Sequence, residues 1–176
     1  MHILDIFQNS IRANATCISL EIDEEQRGNS LCMTILDNGK GMDREMLEKV
    51  TDPFYTTRNT RRVGLGLPLL KQNAERSGGE FSIFSEPGKG TMVKATFTLN
   101  HLDRPSHGDL AGVLILSVTS NPTVDFIYQH TRNGQSYRFS SSEIREALGG
   151  LSLDAPELYG ILHDMVTGNL QDIGVN

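Results

Sequence analysis

Only two cysteines occur in the 176-residue chain, Cys17 and Cys32. Their separation fits neither a C-x-x-C pair nor a zinc-ligand spacing. Both fall within apparent strands, so they read as small core or sheet residues in a reducing cytoplasm. Long apolar runs are missing too. None approaches the roughly 18–20 residues a membrane-crossing helix needs, so no membrane partner is expected. The opening MHILDIFQNS lacks a basic start, and polar residues interrupt its apolar stretch, which argues against a secretory signal. A basic stripe is lacking as well. Net charge is −6, and the one basic cluster is Arg58, Arg61 and Arg62, so no nucleic-acid partner is expected. There is no internal repeat, no low-complexity tract and no phosphate loop ending in Gly-Lys-Ser or Gly-Lys-Thr.

What is present is an ordinary globular composition, 38% hydrophobic and 22% charged. At this length such a chain buries a core without staples. Residues 2–15 read as an amphipathic helix, with Ile3, Leu4, Phe7, Ile11 and Ala15 at spacings of three and four. Asp5, Asn9 and Arg12 form a second stripe on that helix. Residues 17–24 alternate, Ile18, Leu20 and Ile22 against Ser19, Glu21 and Asp23, as in a half-buried strand. Residues 30–36 are apolar on both faces, which suggests a central strand, and the two pair as a hairpin through Arg27-Gly28-Asn29. A short helix follows, capped by Asp43.

Residues 51–66 are loop-like. A helix over 67–77, with Pro68 in its first turn, stops at Gly78-Gly79. Strands over 80–85 and 91–99 flank a turn at Glu86–Gly90. Residues 101–108 read as a connector. Beyond it, 109–120 read as a helix, although Val113–Leu116 suits a strand equally. Asn133-Gly134 predicts a hairpin between 124–131 and 135–140. Ser141 or Ser142 is expected to cap a helix over 143–149. Asp154, with Glu157 three residues on, is expected to open a last helix ending near Gly168.

Four segments carry chemistry. Asp5 and Asn9 lie one helical turn apart. An Asn amide oxygen can ligate Mg²⁺, and a carboxylate one turn earlier can act on a water near a γ-phosphate. A solvated polar face is the plainer alternative. Asp37-Asn38-Gly39-Lys40-Gly41-Met42 puts a carboxylate at a strand end, suited to accept from an adenine amino group, with glycines that let backbone approach a flat base. A plain Asn-Gly turn competes. A calcium loop is excluded, because Gly39 and Gly41 fill ligand positions and Met42 replaces the required glycine. Gly64-Leu65-Gly66-Leu67 runs into a helix, where backbone N–H groups can cradle phosphate. As a dinucleotide fingerprint it is incomplete, since Leu69 stands where the third glycine belongs. Gly88-Lys89-Gly90-Thr91 is either a hairpin turn or a segment bringing Thr91 to a base edge.

In this order the segments resemble the GHKL superfamily, the ATP-binding fold of bacterial histidine kinases, MutL-type repair proteins, type II topoisomerases and anti-sigma serine kinases. The resemblance spans residues 2–99. Gln8–Thr16 is similar to its N-box, Asp37–Met42 to its D-x-G-x-G-M box and Asp52–Arg58 to the histidine-kinase F-box. Val63–Leu67 is similar to the lid glycine box and Ser85–Thr91 to the last glycine box.

The resemblance implies an α+β fold, a two-layer α/β sandwich with a mixed sheet covered by helices. It assigns residues 1–100 to the ATP-binding domain, leaving a connector at 101–108 and a small α/β extension at 109–176, which is regulatory or partner-binding or else packing that merely completes the fold. It implies ATP and Mg²⁺ as cofactors, with Asn9 on the metal and Asp37 on the adenine amino group. Gly39, Gly41 and Met42 shape the base pocket, Gly64, Leu65 and Gly66 belong to a phosphate-contacting lid, and Thr91 assists base recognition.

There are departures from the family pattern. Hydrolytic members carry Glu where this chain has Asp5, one methylene shorter, so Asp5 is a candidate base whose reach geometry decides. Arg62 replaces a usual glycine, and with Arg58 it can pair with the triphosphate or simply be solvated. No phosphoacceptor segment precedes the first helix, which argues against a complete sensor kinase. The expected function is an ATP-controlled switch with slow hydrolysis, cytoplasmic, acting on an unidentified protein partner and compatible with a homodimer. The alternatives are a protein kinase acting in trans and a non-catalytic module stabilised by ATP or ADP.

Overall fold

The computed structural model describes residues 2–52, 66–104, 106, 108–149 and 151–175. In chain order the elements are α1 (Ile3–Arg12), β1 (Cys17–Glu25), β2 (Ser30–Asp37), α2 (Arg44–Lys49), α3 (Gly66–Arg76), β3 (Phe81–Glu86), β4 (Gly90–Thr98), α4 (Leu110–Ser120), β5 (Asp125–Arg132), β6 (Gln135–Ser140), α5 (Ser141–Ala147) and α6 (Pro156–Asp172).

The strands form one six-stranded sheet, β3-β4-β2-β1-β5-β6. It is mixed: β1 runs parallel to β5, and every other pair is antiparallel. One face is covered by helices and the other is largely open, which makes the expected two-layer α+β sandwich. Alternation decides which face is which. Ile18, Leu20 and Ile22 are buried with Leu31, Met33, Ile35, Val93, Ala95 and Phe126. Glu21, Asp23, Lys94 and Gln129 are exposed on the opposite side. β2 is internal, flanked by β4 and β1, as its apolar faces suggested.

Residues 109–176 contribute to this same sheet and core. β5 lies beside β1 in the register Ile18↔Phe126, Leu20↔Tyr128 and Ile22↔His130. The Phe126 ring meets Phe7 of α1 with centroids 5.6 Å apart. Val113–Leu116, suited by sequence to helix or strand, is helical. Asp109 caps α4 by accepting from Gly112 N–H at 2.7 Å. This helix packs against α1, α6 and β5, so it buries Leu114, Ile115 and Val118 around much of its circumference.

Several helix ends follow from one device. Ala15 N–H donates to the Ser10 carbonyl and Asn14 N–H to that of Ile11, with Asn14 at φ 58°, a C-terminal motif that ends α1 three residues before the expected limit. Gly78 and Gly79 close α3 in the same way, as predicted. Gly174, at φ 81°, does so for α6, which therefore runs through Gly168 to Asp172.

Two caps differ from expectation. Ser140 caps α5, while Ser141 sits inside the helix with its hydroxyl accepting from Phe126 N–H at 2.8 Å. Asp154 does not cap α6. Pro156 fixes the first helical φ, which places Ala155 at the cap position, and no side chain bonds there.

Candidate functional site

Asp37 ends β2 and is buried, a location that requires partners for its carboxylate. Two donors hold it. Ser10 Oγ donates to Oδ2 at 2.6 Å, and the Gly39 N–H donates to Oδ1 at 2.9 Å. Ser10 lies on the buried side of α1, one residue beyond Asn9. The pair of bonds fixes the carboxylate plane and leaves acceptor capacity on both oxygens. In β4, Thr91 lies opposite Asp37 in register. Its Oγ1 is 2.9 Å from Ser85 Oγ, which also accepts from the Met42 N–H at 2.8 Å.

The backbone after Asp37 is locked from three sides. Asn38 Oδ1 accepts from the Thr16 and Cys17 N–H groups at 2.8 and 2.9 Å. Lys40 N–H donates to the Ala13 carbonyl at 2.8 Å, and Gly88 N–H donates to the Lys40 carbonyl at 2.7 Å. The glycines here have steric reasons. A Cβ on Gly41, at φ 66°, would come within 1.9 Å of the Glu86 carbonyl oxygen. One on Gly39 would lie 2.8 Å from the Ala13 carbonyl oxygen. Both positions therefore need backbone closer than any side chain allows. Lys89 closes the outer turn with an ion pair to Glu86 at 2.6 Å, and that hydrogen bond raises its ammonium pKa.

Asn9 and Asp5 lie on α1 beside this end of the sheet. Asn9 is half-buried, and its Oδ1 accepts from Arg12 Nη1 at 3.0 Å. Asp5 is about half exposed, 3.8 Å from His2 Nδ1. Its Cβ abuts the first residue of α3: a Cβ on Gly66 would lie 2.7 Å from it. Thus Asp5 stands at the N-terminus of α3, and Asn9 one turn further along α1.

The structure therefore brings Asn9, Asp37, Gly39, Gly41, Met42 and Thr91 to one end of the sheet, with Asp5 and Gly66 meeting at the α1–α3 contact. Arg58, Arg62, Gly64 and Leu65 lie outside the described residues, as does most of the Asp52–Arg58 segment. Sequence reasoning assigned no role to Ser10, Ser85 or Asn38. Ser10 carried a faint signal, a polar residue on the apolar face of α1; the bonds made by Ser85 depend on the β3–β4 register and had none.

Among the described residues no group of three or more histidine, cysteine or acidic side chains is arranged to hold a metal ion. Mg²⁺ takes few protein ligands when phosphates and water supply the rest. The Asn9 amide oxygen is a hard donor of the kind it uses, and Arg12 engages only one of that oxygen's two lone pairs. The residues present thus fit a phosphate-borne Mg²⁺.

Comparison with known proteins covers this same half of the chain. Residues 2–101 match the family model described as histidine kinase-, DNA gyrase B- and HSP90-like ATPase. A sensor protein of Shewanella frigidimarina is 36% identical over 103 residues, covering 57% of this chain and 16% of its own length. Sporulation kinase C of Bacillus subtilis is 30% identical over 96 residues, covering 54% of this chain and 22% of its own. Sensor histidine kinase ZraS of Escherichia coli K12 is 29% identical over 97 residues, at 55% and 20%. The chain thus spans about a fifth of the length of these curated relatives. Among solved structures, the N-terminal domain of a DNA repair protein superposes with a TM-score of 0.52 at 17% identity, covering 78% of this chain and 50% of that one, a likeness of fold alone.

Proposed function

The chain belongs to the family of histidine kinase-, DNA gyrase B- and HSP90-like ATPases, and from that membership we propose that it binds Mg-ATP beside Asp37 and acts as a nucleotide-controlled switch with slow hydrolysis. The observation that carries this reading is the buried Asp37 carboxylate, aimed by Ser10 and Gly39 and set opposite Thr91. A buried carboxylate with spare acceptor capacity suits a neutral donor such as an adenine amino group. Asn9 is proposed as the protein ligand to Mg²⁺, which, when bound, neutralises charge on the triphosphate. Asp5 orients or deprotonates the attacking water. Gly64, Leu65 and Gly66, with Arg58 and Arg62, contact the phosphates. The proposed setting is the cytoplasm; no helix among the described residues is long and apolar enough to cross a membrane. Residues 109–176 are proposed to meet an unidentified protein partner, and a homodimer is compatible with this.

Phosphotransfer in trans to a separate protein is the second reading, favoured by the kinase names of the relatives. Calorimetry separates binding from chemistry. Asp37→Asn is expected to weaken ADP and ATP by tenfold or more, and Asn9→Ala to remove the dependence on Mg²⁺. Asp5→Ala is expected to slow phosphate release with affinity retained. Native protein that ignores adenine nucleotides overturns the whole reading. Transfer of labelled γ-phosphate to a second protein, with no release to water, replaces the switch by the kinase.

A further inference from the structure

The opposite end of the sheet carries a second cleft. Glu24 is the next-to-last residue of β1, six residues beyond Ile18, the cross-strand partner of Asp37. At about 3.3 Å per residue the two ends lie roughly 20 Å apart. There a cavity of about 230 Å³ is lined by Glu24, Gln26, Leu99, Arg104, Arg132 and Val175, among others. We infer that this cleft is a receptor for a small oxyanion, a carboxylate or phosphate group gripped by Arg104.

Arg104 is the residue that argues for it. Its Nε donates to the Leu99 carbonyl at 2.6 Å, which fixes the guanidinium plane. Its Nη1 is buried and has no hydrogen-bond partner among the described residues. Buried polar groups are nearly always paired, and a charged donor left unpaired is the costliest exception. A planar guanidinium held by one nitrogen and unpaired at another matches an oxyanion.

The surroundings supply charge and a further donor. Glu24 is buried and its Oε1 bonds His130 Nε2 at 3.0 Å, while Oε2 is 3.7 Å from Arg132 Nε. Among the described residues, two guanidiniums line the cleft with one carboxylate, in a chain whose net charge is −6. Gln26 Oε1 accepts from Asn133 Nδ2 at 3.0 Å, which turns the amide so that its NH₂ remains as a donor. Leu99 and Val175 add apolar wall, and the volume limits the occupant to a small molecule.

The site does not depend on the nucleotide reading. The test uses the full chain, with and without excess ADP, titrated calorimetrically with inorganic phosphate and, separately, with malonate, against chloride at equal ionic strength. Saturable binding of either anion is expected, with affinity reduced at least tenfold in Arg104→Gln and several-fold in Gln26→Leu, and ADP affinity unchanged in both. Amide chemical-shift mapping of the native chain locates the anion without any variant, and shifts are expected at Gln26, Asn100 and Arg104. The anion that binds identifies the group recognised. No saturable binding of either one overturns the inference, as do shifts confined to the Asp37 end or undiminished affinity in a folded Arg104→Gln.

Discussion

Ser10 and Asp37 are 27 positions apart in sequence and 2.6 Å apart in space. Replacing Ser10 by Ala leaves one buried carboxylate oxygen without its donor, a loss of about 1–3 kcal/mol. Denaturant melts of Ser10→Ala are expected to show that loss, and ADP titration a weaker affinity; a variant unchanged in both would remove Ser10 from the site. A second residue-scale effect concerns Tyr128. Burial foremost, then the Glu24 carboxylate and Tyr137, raise its phenol pKa far above the ordinary value of 10.0. Its hydroxyl lies 2.6 Å from His130 Nδ1, so the neutral form is the one the core holds. Above the ordinary value the unfolded chain releases this proton and the folded chain does not, so stability falls as pH rises. The contribution is intact below about pH 10 and is lost above it, at up to about 1.4 kcal/mol per pH unit. Thermal melts across pH 9–12 are expected to show this fall, flattened in Tyr128→Phe; Tyr137, also raised by burial, adds a smaller share.

Among elements, the β3–β4 hairpin holds two glycines with opposite demands. Gly88, at φ 77°, has nothing within 4 Å of a Cβ, so Gly88→Ala costs only the left-handed strain, about 1–2 kcal/mol. Gly90, at φ 95°, would set a Cβ 1.9 Å from the Asp37 carbonyl oxygen. That neighbour is strand backbone and cannot rotate away. Gly90→Ala is therefore expected to cost several kcal/mol more and to disturb adenine-nucleotide binding, since β2 and β4 must part where Asp37 meets Thr91. Equal melting temperatures for the two variants would contradict that close approach. At the α1–α3 contact Gly66 plays a similar part against Asp5, which ties the position of the candidate base to the start of a helix rather than to α1 alone.

On the scale of the whole molecule, the family match ends at residue 101 and the hydrogen-bonded sheet does not. β1 is internal only because β5 lies beside it, and Phe7 of α1 is covered by Phe126. Removing residues 109–176 strips β1 of its parallel neighbour and uncovers Phe7 and Ile18, which are now 1% exposed. Several buried side chains then lose their contacts at once, each worth about 2–5 kcal/mol, against a typical net stability of about 5–15 kcal/mol. The shortened chain is expected to show no cooperative thermal transition; a two-state melt near that of the full chain would contradict this.

Elements were legible where local chemistry decides. Alternation over 17–24, the Asp43 cap, the Asn133-Gly134 turn and the Gly78-Gly79 stop all express short-range sterics and hydrogen bonds, which neighbouring residues determine. The glycine boxes were legible as motifs for the same reason. The helix over 109–120 was legible too, but its apolar run Val113–Leu116 left a strand open until α1, α6 and β5 enclose it. The cap of α5 was not legible, since Ser141 surrendered its hydroxyl to Phe126, fifteen residues back along the chain. The sequence by itself determined the order of strands and helices and the family of ATPases. Only the tertiary structure decided which serine holds Asp37, that β5 lies parallel to β1, and that Arg104 reaches a cleft with a donor unspent. Those outcomes depend on contacts between distant segments, and no local pattern encodes which distant segments will meet.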